Sequence, residues 1–155
     1  IHSTHPYEEP AIDILPLAND YSQLGLGCVG ELENPITETE MLHYIKDKLN
    51  IQYIRHTQTS DKLVHRVALC GGSGAEFIPH AIREKAGIYI TADVKYHDFF
   101  NTENQIVIAD IGHFESEQCI KEVFYEQLSK NFINFAILMA ECDKSPVKYT
   151  YLTED

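Results

Sequence analysis

Short, mostly apolar runs alternate along this chain with amphipathic stretches of helical spacing. The runs at 64–69, 88–91 and 106–111 have the length and the branched apolar content that are typical of strands. Apolar positions three and four apart at 75–85 and 114–131 predict helices between and after these strands. Strands that alternate with helices in this way favour an α/β fold, in which a layered sheet carries helices on its faces.

Local signals predict the remaining elements. A helix is expected to begin after Thr37, which forms a capping-box pattern with Glu40, and to end at Asn50. The three glycines within 25–32 indicate a strand or a turn, and an aromatic segment at 93–101 indicates a helical turn. Further strands or extended segments are predicted at 11–17, 51–57, 135–140 and 147–152.

Composition and charge narrow the functional class. The 155 residues are 44% hydrophobic and 23% charged, as expected for one globular domain with a sizeable core. The net charge of -12 argues against a nucleic-acid partner, because phosphate binding needs clustered lysine and arginine. No run approaches the roughly 20 apolar residues that a membrane span needs, so no membrane partner is expected.

The cysteines indicate the cell compartment of the protein, and the first residue indicates whether the chain is a fragment. The cysteines are widely separated and form no Cys-x-x-Cys pair, which predicts reduced thiols in a cytoplasmic protein. The chain opens with Ile1 rather than methionine, amid polar residues. We therefore expect it to be a fragment of a longer polypeptide.

Glycine or a polar side chain follows each of the three apolar strands. If right-handed crossovers make these strands parallel, their carboxyl ends gather at one edge of the sheet. Open α/β sheets bind their ligands at such edges. The residues expected to share this crevice are Gly71, Gly72, Ser73, Gly74, Asp93, His97, His113 and Glu117.

The most informative pair in the chain is His113 and Glu117. Gly112 ends the strand at 106–111, and the carboxylate stands four positions after the imidazole at the start of a predicted helix. Side chains at i and i+4 lie on one helical face, so these two groups can bind one metal ion. The alternative is structural: the histidine abuts the helix, and the glutamate complements its dipole.

Asp93 and His97 repeat this spacing of a carboxylate and an imidazole. Asp93 either orients His97, binds substrate or caps the following turn. Lys95 either binds an anion or covers apolar surface. The glycine loop 71–74 precedes a helix and presents either an anion cradle or simply the geometry of a tight turn.

Four motifs in order resemble the NGG-one-interacting-factor-three family, whose members are called GTP cyclohydrolase I type 2 homologues. The similarity covers the chain from end to end. One position departs from the family pattern: Ala92 stands where members usually have glycine before the aspartate. The motifs are HPYEEPAID at 5–13, CGGSG at 70–74, TADVKYHD at 91–98 and GHFESE at 112–117.

The resemblance implies a protein of two α/β halves that hold a pair of divalent metal ions between them. It implies that residues 1–20 are the last strand and exit of an inserted PII- or CutA-like domain, and that 21–155 are the C-terminal half. His113 and Glu117 match the two metal ligands of that half. The other ligands belong to the N-terminal half, which would be the partner of this chain in the same polypeptide, and members are implied to form ring-like homo-oligomers.

The function that follows is hydrolysis of a small phosphorylated or cyclic-amide substrate at a two-metal site. His97 and Asp93 are expected to carry a proton or position the substrate, while the glycine loop and Lys95 bind it. A histidine and a carboxylate suit Zn, Mn, Fe or Ni. The alternative is a non-catalytic protein: a metal-binding oligomeric scaffold or a regulatory interaction module.

Overall fold

The computed structural model describes residues 4–7, 9–15, 25–102 and 104–150. Within these ranges lie five strands, four α-helices and two 3-10 helices. In chain order they are β1 (Cys28–Thr37), α1 (Glu38–Leu49), β2 (Arg55–His56), β3 (Leu63–Ser73), a 3-10 helix (Ala75–Phe77), α2 (Ile78–Arg83), β4 (Ile88–Ala92), a second 3-10 helix (Tyr96–Thr102), β5 (Val107–Asp110), α3 (His113–Glu117) and α4 (Ile120–Asn131).

The strands form one sheet in the order β1-β3-β4-β5-β2. The three central strands β3, β4 and β5 are parallel, with Leu69 beside Ile90 and Ile90 beside Ala109. β1 and β2 complete the two edges in antiparallel orientation. All four residues of β5 are buried, as expected for a central strand covered on both faces. The predicted α/β class and its parallel centre are confirmed.

Apolar side chains fill both faces of this sheet. On one face Ala68 and Ile108 pack with Ile78 of α2 in a single buried cluster. On the other face Val64, Ile88 and Val107 pack in a second cluster, which includes residues of α1. The helical members of that second cluster are Met41 and Ile45. The two clusters hold the sheet between helices on both of its faces. This packing also determines the positions of the ends of the parallel strands.

The predicted limits of α1 are confirmed. The Thr37 hydroxyl accepts from the Glu40 amide at 3.2 Å, and the Glu40 carboxylate accepts from the Thr37 amide at 2.8 Å. The donated hydrogen bond from the Thr37 backbone lowers the pKa of Glu40 from its ordinary value. At the other end Asn50 takes the left-handed conformation with φ of 51°, which ends the helix.

Two other predicted helices are interrupted. The helix expected at 75–85 begins as a 3-10 turn, and α2 follows it with proline in its first turn. The helix expected at 114–131 is divided into α3 and α4. No residue of α3 or of α4 is buried, but α3 lies against β3 and β4 of the sheet. Among the helices of the described ranges, none is both long and apolar enough to cross a bilayer.

Several predicted strands do not form in the described residues. The strand expected at 51–57 is reduced to the two residues of β2. No strand occupies 135–140, where Phe135 is 71% and Leu138 is 88% exposed, because an apolar run forms a strand only beside a partner. Residues 11–15 and 147–150 also lie outside any strand, and the rest of those two predictions falls outside the described residues. The proposed division of the chain at residue 20 stays a prediction.

Candidate metal centre

The carboxyl ends of the three parallel strands meet at one edge, as the sequence predicted. Gly72 lies near the end of β3, Asp93 follows β4, and His113 follows β5 by three residues. The side chains of Asp93 and Glu117 both contact His113. A Cβ atom placed on Gly72 would lie 3.4 Å from Cε1 of His113. Three strands and α3 therefore contribute to one site.

His113 lies between two carboxylates. Its Nδ1 is 2.6 Å from Oδ2 of Asp93, and its Nε2 is 3.2 Å from Oε2 of Glu117. A carboxylate only accepts hydrogen bonds, so Nδ1–H donates to Asp93. All three side chains are about half exposed, with values of 50% to 52%. The site is thus open to solvent on one side and held by the sheet on the other.

The charge balance of this group explains the behaviour of the imidazole. The hydrogen bond to Asp93 is the main cause that raises the pKa of His113 from its ordinary value. Burial opposes it as the second-largest effect, and the charges of Asp93 and Glu117 add smaller upward contributions. Once the proton on Nε2 is lost, a ring lone pair and a carboxylate oxygen face each other. Two such acceptors need a positive centre between them, which is either a proton or a metal ion.

The geometry fits a divalent metal ion. Nitrogen and oxygen ligands lie about 2.1 Å from a transition-metal ion, so two neighbouring ligand atoms are about 3.0 Å apart at a right angle and about 3.4 Å at a tetrahedral angle. The observed separation of 3.2 Å between Nε2 and Oε2 falls within this interval. A carboxylate on the other ring nitrogen is the usual support of a metal-bound histidine, and Asp93 supplies it.

The described part of the chain supplies only part of a coordination shell. It contains no group of three or more histidine, cysteine, aspartate or glutamate side chains arranged to hold one ion. His113 and Glu117 could fill two positions, with Asp93 behind the histidine. A divalent ion at this edge would need its remaining ligands from water or from residues outside this arrangement.

Gly72 makes room for the carboxylate of Glu117. Its φ is +64°, and a Cβ atom there would collide with Oε1 of Glu117. Ser116 connects this turn to α3, because its hydroxyl accepts from the Gly72 amide and donates to the His113 carbonyl, both at 2.8 Å. The Thr91 hydroxyl donates to the Gly72 carbonyl at 3.2 Å. Both backbone polar groups of Gly72 are therefore engaged within the protein, and binding of an anion by this loop stays a prediction.

Two predicted site residues lie apart from His113. His97 is exposed in the second 3-10 helix, with its ring against Tyr96 at 5.4 Å between centroids. Asp93 contacts His113 and not His97. Of the roles expected for Asp93, the orientation of His97 is therefore not observed, and Asp93 instead binds the imidazole of His113 at the end of the neighbouring strand. Lys95 lines a neighbouring cavity of about 490 Å³ together with Ser73 and Asp93. Substrate binding by Lys95 and proton transfer by His97 stay predictions.

Sequence reasoning missed an ion pair beside the site, between the buried Asp110 and the exposed Arg55. The Asp110 side chain is 4% exposed, and its Oδ2 is 3.1 Å from a guanidinium nitrogen of Arg55. The available signal was a charged residue at the end of an otherwise apolar buried strand. Arg55 also lines the cavity of about 550 Å³ into which Asp93, His113 and Glu117 open.

Comparison with known proteins gives a consistent family assignment. A model of Duf34/NIF3 (NGG1p interacting factor 3) matches residues 2–146. A protein of Staphylococcus epidermidis named GTP cyclohydrolase 1 type 2 homolog is 35% identical over 153 residues, which are 96% of this chain and 42% of the relative. Its namesake from Bacillus subtilis is 35% identical over 154 residues, covering 96% of this chain and 40% of the relative.

A solved structure agrees with the sequence comparisons. The crystal structure of Staphylococcus aureus protein SA1388 superposes with a TM-score of 0.74 at 27% identity, covering 96% of this chain and 44% of that one. The chain thus spans about two fifths of the length of the curated relatives it matches.

Proposed function

Because this chain belongs to the Duf34/NIF3 family, we propose that it provides half of a two-metal site in a cytoplasmic hydrolase. His113 and Glu117 are the metal ligands of this half. The remaining ligands come from the N-terminal half of the same polypeptide. Small phosphorylated compounds or cyclic amides are the substrates, in keeping with the name GTP cyclohydrolase 1 type 2 homolog that the relatives carry.

One observation carries this proposal: the two ring nitrogens of His113 each face a carboxylate, that of Asp93 on one side and that of Glu117 on the other. The 2.6 Å hydrogen bond to Asp93 places a proton on Nδ1, so that in the neutral ring the lone pair of Nε2 lies beside Oε2 of Glu117. A surface histidine paired by chance with a glutamate would not need a carboxylate on its other nitrogen. The double arrangement is typical of a metal-bound imidazole with its supporting carboxylate.

The residues of this chain have distinct roles in the proposed site. Divalent ions supply Lewis acidity and lower the pKa of water, which is the chemistry of metal-assisted hydrolysis. Asp93 orients the imidazole and raises its basicity. Gly72 leaves the space that the Glu117 carboxylate occupies. The cavity of about 550 Å³ beside these groups admits a substrate, and Arg55 at its wall adds positive charge.

The experiment is metal analysis of the full-length protein and of two histidine variants. His113→Ala removes the proposed ligand, whereas His43→Ala removes an exposed histidine on α1. We expect metal in the purified protein, and at least about a tenfold loss of Mn²⁺ affinity for His113→Ala alone. A full-length protein without metal affinity, or equal affinity in both variants, would refute the proposal.

Activity distinguishes a hydrolase from a metal-binding scaffold. The full-length protein is assayed on phosphomonoesters, nucleotides and cyclic amides, after chelation and after return of Mn, Zn or Fe. We expect turnover that disappears with the chelator and returns with the metal. Metal binding without any turnover across this panel would favour the scaffold.

The scaffold is the second candidate, because α4 exposes a wide apolar face. Ile120, Phe124 and Leu128 recur at helical spacing and are 46%, 59% and 41% exposed. Apolar surface of this kind marks contacts between proteins, in keeping with a homo-oligomer. If the metal stabilises assembly, chelation should reduce the oligomer mass in solution, and an unchanged mass would argue against this second function.

A further inference from the structure

We propose that Asp110 is the positioning residue of the metal centre, a buried carboxylate that holds in place both loops whose side chains meet at His113. The geometric part of this inference concerns the protein without metal. The consequence for metal affinity rests on the function proposed above.

Each oxygen of the Asp110 carboxylate binds one of the two loops. Oδ2 accepts from the amide of Val94 at 3.1 Å, and Oδ1 accepts from the amide of Gly112 at 3.1 Å. Val94 directly follows Asp93, and Gly112 directly precedes His113. One side chain therefore ties together the backbones that carry the two partners of the 2.6 Å contact.

The loop that carries Asp93 adopts a conformation that needs such a restraint, whereas glycine at position 112 reaches a positive φ without strain. Asp93 has φ of 54° and Gly112 has φ of 89°, both in the left-handed region. That region is unfavourable for a residue with a side chain, so Asp93 stays there only when its surroundings impose it. The hydrogen bond from the next amide, that of Val94, to Asp110 is a direct restraint of this kind.

Arg55 balances the charge of the buried carboxylate. Asp110 and Arg55 are paired residues of the neighbouring strands β5 and β2. One guanidinium nitrogen donates to Oδ2 of Asp110 at 3.1 Å, and the other donates to the Val94 carbonyl at 3.0 Å. The guanidinium also lies 5.1 Å from the centre of the Phe99 ring. A buried charge needs this compensation, and the second hydrogen bond holds the same loop from its carbonyl side.

Placement at this precision matters for the site. A constellation of ligand and supporting groups has to be held within about 0.5 Å of its productive geometry. Asp93 and His113 lie 20 residues apart on different strand ends, and they meet at 2.6 Å. Asp110 touches neither side chain, so it acts through the backbone of both.

The test compares Asp110→Asn with Asp47→Asn in the full-length protein. Both variants remove one negative charge, but Asp47 is exposed on α1. The asparagine at 110 keeps the size of the side chain and places an NH₂ donor where one amide hydrogen now points. In the metal-free protein we expect faster hydrogen exchange at Val94 or Gly112 in Asp110→Asn only. The nitrogen chemical shifts of the neutral His113 ring should move toward a mixture of tautomers.

Metal affinity completes the test. We expect Asp110→Asn to bind Mn²⁺ about tenfold more weakly than the wild type, with Asp47→Asn unchanged. Wild-type exchange and ring shifts in Asp110→Asn would overturn the positioning role, whatever the metal affinity. Altered exchange with unchanged Mn²⁺ affinity would also overturn the positioning role of Asp110. In that case the existence of the metal site would still be decided separately, by the Mn²⁺ affinity of His113→Ala.

A second variant covers the case in which Asp110→Asn does not fold. Arg55→Lys keeps a positive charge near Asp110, but an ammonium group lacks the fork that reaches both the carboxylate and the Val94 carbonyl. We expect faster exchange at Val94 and about a threefold loss of Mn²⁺ affinity. Wild-type values for both quantities would overturn the proposal.

Discussion

Replacement of Gly72 by alanine tests the metal centre with a single methyl group. The structure provides a matched control in the preceding residue. A Cβ atom on Gly72 would collide with Oε1 of Glu117, whereas a Cβ atom on Gly71 would lie 3.5 Å from the Ser116 carbonyl oxygen and 3.7 Å from Cγ of Glu117. The second set of distances is ordinary van der Waals contact. The two variants add the same atoms to adjacent positions, and only one of them displaces the proposed ligand.

The expected loss of stability follows from the backbone conformation. Gly72 has φ of +64°, a region that costs a residue with a Cβ atom about 1–2 kcal/mol. The clash itself adds little to this cost, because the far end of Glu117 is half exposed and can rotate away. That rotation takes Oε1 and Oε2 from their places beside His113. We therefore expect a moderate loss of stability together with a loss of about tenfold or more in metal affinity.

The assay is urea unfolding together with Mn²⁺ titration of the full-length protein. Gly72→Ala should lower the free energy of unfolding by about 1–2 kcal/mol relative to Gly71→Ala, and it alone should weaken Mn²⁺ binding. Equal affinity in the two variants would refute the role of Gly72 in placing the Glu117 carboxylate. Equal stability would refute the argument from its backbone conformation.

Two further predictions concern titration and helix capping. Asp93→Asn should lower the pKa of His113 in the metal-free protein, as measured by NMR titration. Because the folded-state pKa of His113 is raised in the wild type, the wild type should be more stable than the variant at low pH. This difference in stability is complete below the ordinary histidine pKa of 6.5 and is lost as pH rises through the folded pKa. A pKa of His113 that does not change would refute the hydrogen bond as its cause. Thr37→Ala should cost about 1 kcal/mol of unfolding free energy through loss of the cap. Since Glu40 has a lowered pKa, its share in that cap is present above the ordinary carboxyl pKa and lost as pH falls through the folded value. A cost of Glu40→Ala that is the same at neutral and strongly acidic pH would contradict the capping box.

Elements determined by neighbouring residues could be predicted from the sequence. The capping box of Thr37 and Glu40 and the left-handed Asn50 both belong to one helix, and both are present in the structure. The parallel arrangement of β3, β4 and β5 also followed, because continuous apolar strands joined by helical crossovers have few alternative topologies. The contact of His113 with Glu117 needed only one turn of α3.

Predictions failed where a segment depends on a partner. The apolar run at 135–140 has the composition of a buried strand, yet it pairs with no strand of the described residues and leaves Leu138 88% exposed. β2 retains only two of the seven residues expected at 51–57, because its pairing with β5 covers only Arg55 and His56. Strand propensity states what a segment can do, and pairing decides whether it does so.

By itself, the amino-acid sequence determined the local chemistry of this protein: which residues begin and end α1, that the apolar runs at 64–69, 88–91 and 106–111 form strands, and that an imidazole and a carboxylate lie one helical turn apart. Only the tertiary structure decided that Asp93 supports His113 rather than His97, and that Asp110 binds the loops of both. The physical reason is the separation in sequence between the residues that make contact. A contact within one turn follows from helix geometry, whereas a hydrogen bond between residues 20 positions apart depends on how the ends of β4 and β5 are brought together in the sheet.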